Sequence, residues 1–169
     1  MFDEASKAPI VRDKGPKTMT RSISRSWTWR DGVICVSDSY SSFFNHGHAG
    51  IVAAAPHYYS TIEANKGKGV QAIYGDWPSR YKPRIYQAGV KSTSERQDQL
   101  AAIKVAEFIG KPYSVFSTLN TTDTFYCSQL VYQAYRLGAG VSLPHGLPGI
   151  ITPSDLLHAG ATSIIYRNE

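Results

Sequence analysis

The chain has 169 residues, 42% of them apolar, which is the size and composition of one globular domain. Two cysteines are too few for a scaffold held by disulfides. The net charge of +5 favours acidic partners: nucleic acid, anionic lipid or an anionic cell-wall polymer. The basic residues are scattered and no nucleic-acid-binding motif is visible, so nucleic acid is not expected as a partner.

The sequence shows neither a membrane span nor a cleaved export signal. No apolar run approaches the ~20 residues that cross a bilayer, and residues 1–7 are polar, without the apolar core of a secretory signal. We therefore expect no stable membrane insertion. The protein is expected to be cytoplasmic in its producer, or exported by a route without a cleaved signal. A chain that starts after such a signal is the remaining alternative.

In chain order, the pattern predicts an extended N-terminal arm over residues 1–26 and a single domain over residues 27–169. Short β-rich runs bounded by turn residues predict strands at residues 33–36, 48–54, 60–64, 70–74, 83–90 and 162–166. Periodic apolar residues and cap residues predict helices at residues 94–109, 124–135 and 152–157. Strands followed by segregated helices define an α+β fold with an antiparallel sheet.

The first of these helices should begin at Thr93 or Ser94 and bury a stripe of Leu100, Ile103 and Ala106. The loop before the second predicted strand, residues 37–47, is expected to be ordered. That strand consists of small residues, which permit close approach of another element.

The second predicted helix carries Cys127. Asp123 and Thr124 are the expected N-terminal caps, and Gly138 and Gly140 the expected C-terminal stops. Cys127 then lies in the first turn, where free N–H groups and the helix dipole lower the pKa of a thiol. The alternative is a small buried apolar residue, because unpaired cysteine is often buried.

A cysteine nucleophile needs a base and a group that orients the base. His48 begins the strand of small residues and can face the Cys127 helix. Glu63 lies in the next β-rich run and can hold the His48 ring, although an exposed strand carboxylate is the alternative. The other histidines are expected to be solvated: His46, His57, His145 and His158.

Several short motifs together resemble the circularly permuted branch of the NlpC-type papain-like cysteine peptidases. They lie at residues 31–34, 48–52, 62–64, 110–113, 126–135 and 152–156, in the order of that family, and the resemblance covers residues 27–166. It implies a papain-like α+β core, with a small antiparallel sheet or half-barrel packed against helices. The nucleophile would lie at a helix N-terminus. The family roles fall on Cys127 as nucleophile, His48 as base and Glu63 as orienting acid.

Two departures from that family leave alternatives open. Ser114 stands where the branch often carries Asp. The loop over residues 37–47 is long for a strand connection, so that His46 could compete with His48 as the base.

The resemblance implies a thiol-dependent amidase or endopeptidase that needs no metal or other cofactor. The Cys127 backbone N–H would hold the oxyanion together with a second donor, for which Tyr113 and Tyr126 are candidates. The expected substrates are peptides of bacterial peptidoglycan. An antibacterial effector toxin fits a wall substrate without a signal peptide. It would act in the periplasm of a target cell, with a delivery apparatus and an immunity protein as partners.

Three other classes remain open at the level of sequence. One is a lipid thioesterase or acyltransferase of the same fold, and another is a non-catalytic binding module. A zinc site is a weaker third, because Cys35 and Cys127 lack the paired spacing of zinc ligands. Cys35 lies in an apolar run and is predicted to be an inert core residue.

Overall fold

The structure is a computed structural model that describes residues 2–14, 26–39 and 47–168. The strands in this part of the chain are β1 (Ile34–Ser37), β2 (His48–Val52), β3 (Ser60–Asn65), β4 (Gly69–Tyr74), β5 (Ile85–Val90) and β6 (Thr162–Asn168). The helices are α1 (Phe2–Lys7), α2 (Glu95–Ala106) and α3 (Cys127–Ala134). Two 3₁₀ turns lie at Trp77–Ser79 and Pro153–Leu157, and a π turn follows α3 at Tyr135–Ala139.

The strands form one antiparallel sheet in the order β4-β3-β2-β1-β5-β6. Helices α2 and α3 pack against each other, and α3 also packs on β2 and β3. This arrangement confirms the predicted α+β class and the packing of the Cys127 helix against the His48 strand.

Successive side chains of β1 point to opposite faces of the sheet, and the two faces belong to two separate hydrophobic cores. Ile34 and Val36 belong to the larger core, which includes the buried residues of α2 and α3. Cys35 points to the other face, into a smaller core with Trp77 and Ile85. The site described below lies where elements of both faces meet.

The beginning of the chain differs from the predicted extended arm. Residues Phe2–Lys7 are the helix α1, and Ala5 is buried in the larger core. The Arg167 guanidinium donates to the carbonyls of Ala5 (3.0 Å) and Ala8 (2.8 Å) and ties this helix to β6. The prediction of an extended conformation failed here because six residues are too short for a periodic signal. Residues 15–25 of the predicted arm lie outside the described residues.

Helix α2 begins at the predicted cap Ser94, whose side chain accepts from the Gln97 N–H in a capping box. Its buried face is not the predicted apolar stripe, since Ile103 is 41% exposed and Asp98 is fully buried. The Asp98 carboxylate forms ion pairs with Arg30 (2.7 Å) and Lys14 (2.9 Å).

Neutral donors complete the surroundings of Asp98. Its Oδ1 accepts from the hydroxyls of Thr93 (2.5 Å) and Tyr135 (3.1 Å). Arg30 also makes a two-pronged pair with Asp13 at 2.7 and 2.8 Å. The buried face of α2 therefore combines a fully satisfied ionic network at Asp98 with the apolar residues Ala101, Ala102 and Val105.

Helix α3 begins at Cys127 itself, two or three residues later than the expected caps imply. Tyr113 and Phe125 form a parallel β-bridge, with Phe125 donating to the Pro112 carbonyl and Ser114 donating to the Phe125 carbonyl. This extended pairing keeps the chain out of the helical conformation until Tyr126, which is the N-cap residue. Asp123 and Thr124 are therefore not the caps of this helix.

The far end of this helical segment fits one of the two predicted stops. Gly140 ends the π turn in the left-handed conformation at φ 74°. Gly138 lies within the turn and has a different role. A Cβ at Gly138 would come within 2.6 Å of the Leu100 carbonyl oxygen, so glycine there permits close contact with α2.

Candidate active site

The site is centred on a buried pair formed by His48 and Glu63. The His48 Nε2 lies 2.8 Å from Glu63 Oε1, and neither side chain is more than 3% exposed. The pair is possible because β2 and β3 pair only at Ile51–Ile62 and Val52–Thr61. His48 and Glu63 lie outside these two paired positions.

Gly50 makes room for this pair. A Cβ at Gly50 would lie 2.8 Å from Glu63 Cγ and 3.0 Å from a ring carbon of Trp77. Small residues on β2 therefore serve two purposes. Ala49 packs in the core that contains α3, whereas Gly50 leaves space for the carboxylate side chain.

Cys127 is the first residue of α3 and is 3% exposed. Its thiol hydrogen-bonds with the His48 imidazole. Because Nε2 of His48 is taken by Glu63, Nδ1 is the ring nitrogen left for the thiol. The structure thus brings together the three residues that the sequence suggested, in the order Cys127, His48, Glu63.

The ionisation of the two buried partners is shifted in opposite directions. Burial alone lowers the pKa of His48, but its interactions with Cys127 and Glu63 outweigh burial and raise the pKa from 6.5 to about 9. Burial raises the pKa of Glu63, but His48 and Arg80 more than offset this and lower the pKa to about 2. At neutral pH the pair is therefore an imidazolium beside a carboxylate.

Other side chains that sequence reasoning missed surround Glu63. Its Oε2 accepts from Thr61 Oγ1 at 2.5 Å and from the Arg80 guanidinium at 2.6 Å, and its Oε1 accepts from the Tyr81 hydroxyl at 2.9 Å. The Trp77 ring stacks on His48 with centroids 5.4 Å apart, and its N–H donates to Thr61.

Trp77, Arg80 and Tyr81 lie on one short turn after β4, between two strands. The sequence signal was a tryptophan, an arginine and a tyrosine within five positions around Pro78. Such a cluster in a connection is unusual, because loops are normally polar and exposed. Their partner could not be read from the sequence.

The two tyrosines suggested as oxyanion donors lie on either side of the segment that leads into α3. Tyr113 is half-buried and bridges Phe125. Tyr126 is buried, and its hydroxyl accepts from the Ile151 N–H at 3.2 Å. Tyr126 thus links the start of α3 to the loop before the second 3₁₀ turn, and its role as an oxyanion donor stays a prediction.

The remaining histidines in the described residues lie elsewhere. His145 is exposed and its Nδ1 lies 2.9 Å from the Leu147 carbonyl oxygen. His158 is exposed and accepts from the Gly160 N–H, and His57 is half-buried in the loop before β3. His46, the alternative base, lies outside the described residues.

A cysteine at the start of a helix, linked through a strand histidine to a carboxylate on an antiparallel sheet, is the arrangement of papain-like thiol hydrolases. The chain belongs to the family of permuted papain-like amidase enzymes, YaeF/YiiX or C92, which matches residues 33–162. It is accordingly a thiol-dependent hydrolase of amide bonds. The family and the fold implied by the sequence resemblance are confirmed.

The chain is also similar to a curated protein and to a solved structure. The chain is 27% identical over 170 residues to the uncharacterized protein YycO of Bacillus subtilis (strain 168), covering 96% of this chain and 67% of that protein. A crystal structure described as metalloprotein yiiX from Escherichia coli O157:H7 superposes with a TM-score of 0.67 at 16% identity. That likeness covers 84% of this chain and 99% of the other, and it shows the fold.

Neither a metal cluster nor a membrane span is found in the described part of the chain. No group of at least three His, Cys, Asp or Glu side chains among these residues is arranged to hold a metal ion. None of the helices within residues 2–14, 26–39 and 47–168 is long and apolar enough to cross a bilayer.

Cys35 provides a built-in comparison for Cys127. It is fully buried, and burial raises the pKa of its thiol well above the usual range, although a hydrogen bond from Gln87 acts in the opposite direction.

We expect Cys35→Ser to lower the free energy of unfolding by about 1–3 kcal/mol, because it buries a hydroxyl among apolar side chains. The folded fraction should keep its activity per molecule, measured together with a thermal melt. Loss of activity in a variant with an unchanged melt would contradict an inert role.

Gly50→Ala should damage the site although it replaces none of the proposed reactive residues. The added methyl would press on Glu63 and Trp77, so we expect a roughly 10-fold or greater loss of turnover from a misplaced carboxylate. Gly89→Ala on β5 is the matched control, because a Cβ there meets its nearest neighbour at an ordinary 3.6 Å. Equal rates for the two variants would show that the space at Gly50 is not needed.

Proposed function

We propose that Cys127 is the nucleophile of this amidase, that His48 is its base and acid, and that Glu63 orients His48. The observation that supports this most directly is the buried hydrogen-bonded chain from the thiol of Cys127 through His48 to Glu63. Each group also lies where its chemistry needs it. The thiol is at a helix N-terminus, and the imidazole lies between a thiol and a carboxylate.

The proposed reaction has two stages. The proton that Cys127 and His48 share rests on the imidazole, as its raised pKa favours, and the sulfur attacks the carbonyl carbon of the amide. The Cys127 backbone N–H, at the start of α3, helps to hold the oxyanion. His48 then gives its proton to the departing amine, leaving an acyl group on the sulfur. In the second stage a water molecule, deprotonated by His48, releases the acid and restores the thiol.

We propose that the substrate amide lies in a peptide of bacterial peptidoglycan. The net charge of +5 supports an anionic polymer as the partner. The test is digestion of purified peptidoglycan with the wild-type protein and with Cys127→Ala, followed by mass spectrometry of the soluble fragments. We expect fragments with a newly freed amine and carboxyl from the wild type alone. Identical fragments from both proteins, or intact peptides from both, would reject this substrate or this nucleophile.

We further propose that the protein acts as an effector toxin in the periplasm of a rival cell, delivered by a secretion apparatus and neutralised in the producer by an immunity protein. The proposal follows from the damage that an uncontrolled wall hydrolase would cause. The test compares cells that express the wild type and Cys127→Ala, each directed either to the periplasm or to the cytoplasm. Lysis is expected only with the wild type in the periplasm. Intact cells, with a protein whose Cys127 is still readily alkylated, would rule out the toxin role.

One observation favours a second candidate, a lipid thioesterase or acyltransferase. Phe116 is 88% exposed on the loop before α3, and Leu147 is 58% exposed on the loop that binds Tyr126 through Ile151. Exposed apolar side chains on the loop that precedes α3 and on the loop that contacts Tyr126 would suit an acyl chain. Offering lipid thioesters and peptidoglycan to the same preparation separates the two candidates, since only the favoured substrate should be turned over.

A further inference from the structure

Arg80 forms an ion pair with Glu63 but is not one of the three residues to which the proposed chemistry is assigned. Its guanidinium lies 2.6 Å from Glu63 Oε2, whereas His48 contacts the other oxygen, Oε1. The guanidinium also lies over the rings of Tyr81, at 4.9 Å, and Trp77, at 6.0 Å. Both rings belong to the same turn, so the turn holds the arginine in one place.

The turn is itself well defined by local chemistry. The Asp76 carboxylate accepts from the Ser79 N–H at 3.0 Å and caps the 3₁₀ turn, and Pro78 lies in its first positions. Arg80 donates to the Trp77 carbonyl through its backbone N–H. The guanidinium is therefore delivered by a fixed backbone rather than by a flexible loop.

The charges in the site explain what this arginine does. Glu63 is fully buried, and His48 and Arg80 are the cations with which it forms ion pairs among the described residues. If His48 were its sole cation, deprotonation of the imidazolium would leave an unpaired carboxylate in the interior, which is costly. The imidazolium would then release its proton reluctantly. With Arg80 in place, the carboxylate keeps a cation after His48 has lost its proton.

We propose that Arg80 is a positioning residue of this site, which shares the charge of Glu63 with His48 and so allows His48 to pass its proton to the departing amine. This inference rests on the proposed roles of His48 and Glu63. Arg80 acts through Glu63 and does not need to touch the substrate.

The other ionisable groups around His48 and Glu63 also affect whether His48 keeps its proton. The ionisable ones in the described residues are Cys127 on α3, Cys35 on β1, Arg80 and Tyr81. Cys127 stabilises the imidazolium, whereas the guanidinium opposes it. Cys35 is a buried neutral thiol, and the Tyr81 hydroxyl donates to the carboxylate, so that neither supplies a charge at neutral pH.

The test is an NMR titration of the His48 ring, assigned with His48→Ala, in the full chain and in Arg80→Gln. Removing a positive charge favours the protonated form of its neighbours, so we expect the pKa of His48 to rise by about one unit. If Arg80 only anchored Glu63, its loss would free the carboxylate from His48 and the pKa would fall. An unchanged or lowered pKa therefore overturns the proposal.

Two control variants accompany the titration. Arg80→Lys keeps the charge and should leave the pKa of His48 near its wild-type value. Arg30→Gln breaks the ion pairs of another arginine, with Asp98 and Asp13, and should lower thermal stability without moving the His48 titration. If Arg80→Gln does not fold, Arg80→Met takes its place, because its side chain retains apolar contacts with Trp77 and Tyr81.

The titration needs no substrate, so it separates this proposal from the proposed function. A raised pKa in a protein that hydrolyses no amide would support Arg80 and reject the assigned reaction. An unmoved pKa in an active enzyme would reject the role of Arg80 and support the assigned reaction. In an active enzyme we also expect Arg80→Gln to move the alkaline limb of the pH profile of kcat/KM to higher pH, by about the same amount as the pKa of His48.

Discussion

Cys127→Ala and His48→Ala should each abolish amide hydrolysis almost completely, with losses of at least about 10⁴-fold. Without the sulfur no acyl intermediate can form. Without the imidazole the thiol loses its proton acceptor and the amine loses its proton donor, since His48 is the ring that hydrogen-bonds both Cys127 and Glu63. Steady-state rates on one substrate, with active-site titration by iodoacetamide, measure both effects.

The controls for this first prediction use groups of the same kind outside the site. Cys35 is buried in the smaller core, and His145 is exposed near Leu147. His145→Ala should therefore keep the wild-type rate. Substantial turnover by a folded Cys127→Ala would show that another residue supplies the nucleophile.

Glu63→Gln should reduce turnover by roughly 10–10³-fold, less than the loss expected for Cys127 or His48. The amide retains the shape of the carboxylate but not its charge, so the imidazolium loses its ion-pair partner. A cysteine enzyme should tolerate this better than a serine enzyme, because a helix terminus already favours its thiolate. The pKa of His48 should fall in this variant, opposite to the shift expected for Arg80→Gln.

Stability distinguishes this role of Glu63 from that of an ordinary surface acid. Glu63 is fully buried and pairs with Arg80, so Glu63→Gln should lower the free energy of unfolding by roughly 1–3 kcal/mol. Glu107→Gln is the comparison, because that carboxylate is 57% exposed and pairs with Lys104 on the surface. Its effect should stay within about 0.5 kcal/mol. A fully active Glu63→Gln would leave a dyad of Cys127 and His48.

Much of the fold could be predicted from the sequence because its signals are local. Turn residues bounded the strands, and the cap residue Ser94 marked the start of α2. The proximity of His48, Glu63 and Cys127 was foreseen through the family resemblance and the small residues of β2. The start of α3 was misplaced because a pairing between Tyr113 and Phe125, twelve positions apart, overrides the local caps.

The parts that were missed depend on contacts between distant segments. The buried face of α2 includes a carboxylate, Asp98, whose partners Lys14 and Arg30 lie far away in the chain. Arg80 reaches Glu63 across 17 positions. Periodicity treats a charged residue as exposed unless its partner is known, and the partner is not visible in a single sequence.

The network around Asp98 sets a lower limit on the segment that can fold as a unit. The family match begins at residue 33, whereas Asp13, Lys14 and Arg30 all precede that point. Cutting the chain after residue 26 would remove one cation from Asp98, and cutting it at residue 33 would remove both. The carboxylate would then be buried with only hydroxyl donors. The residue at which the family match begins is thus not the residue from which the buried Asp98 carboxylate keeps its cationic partners.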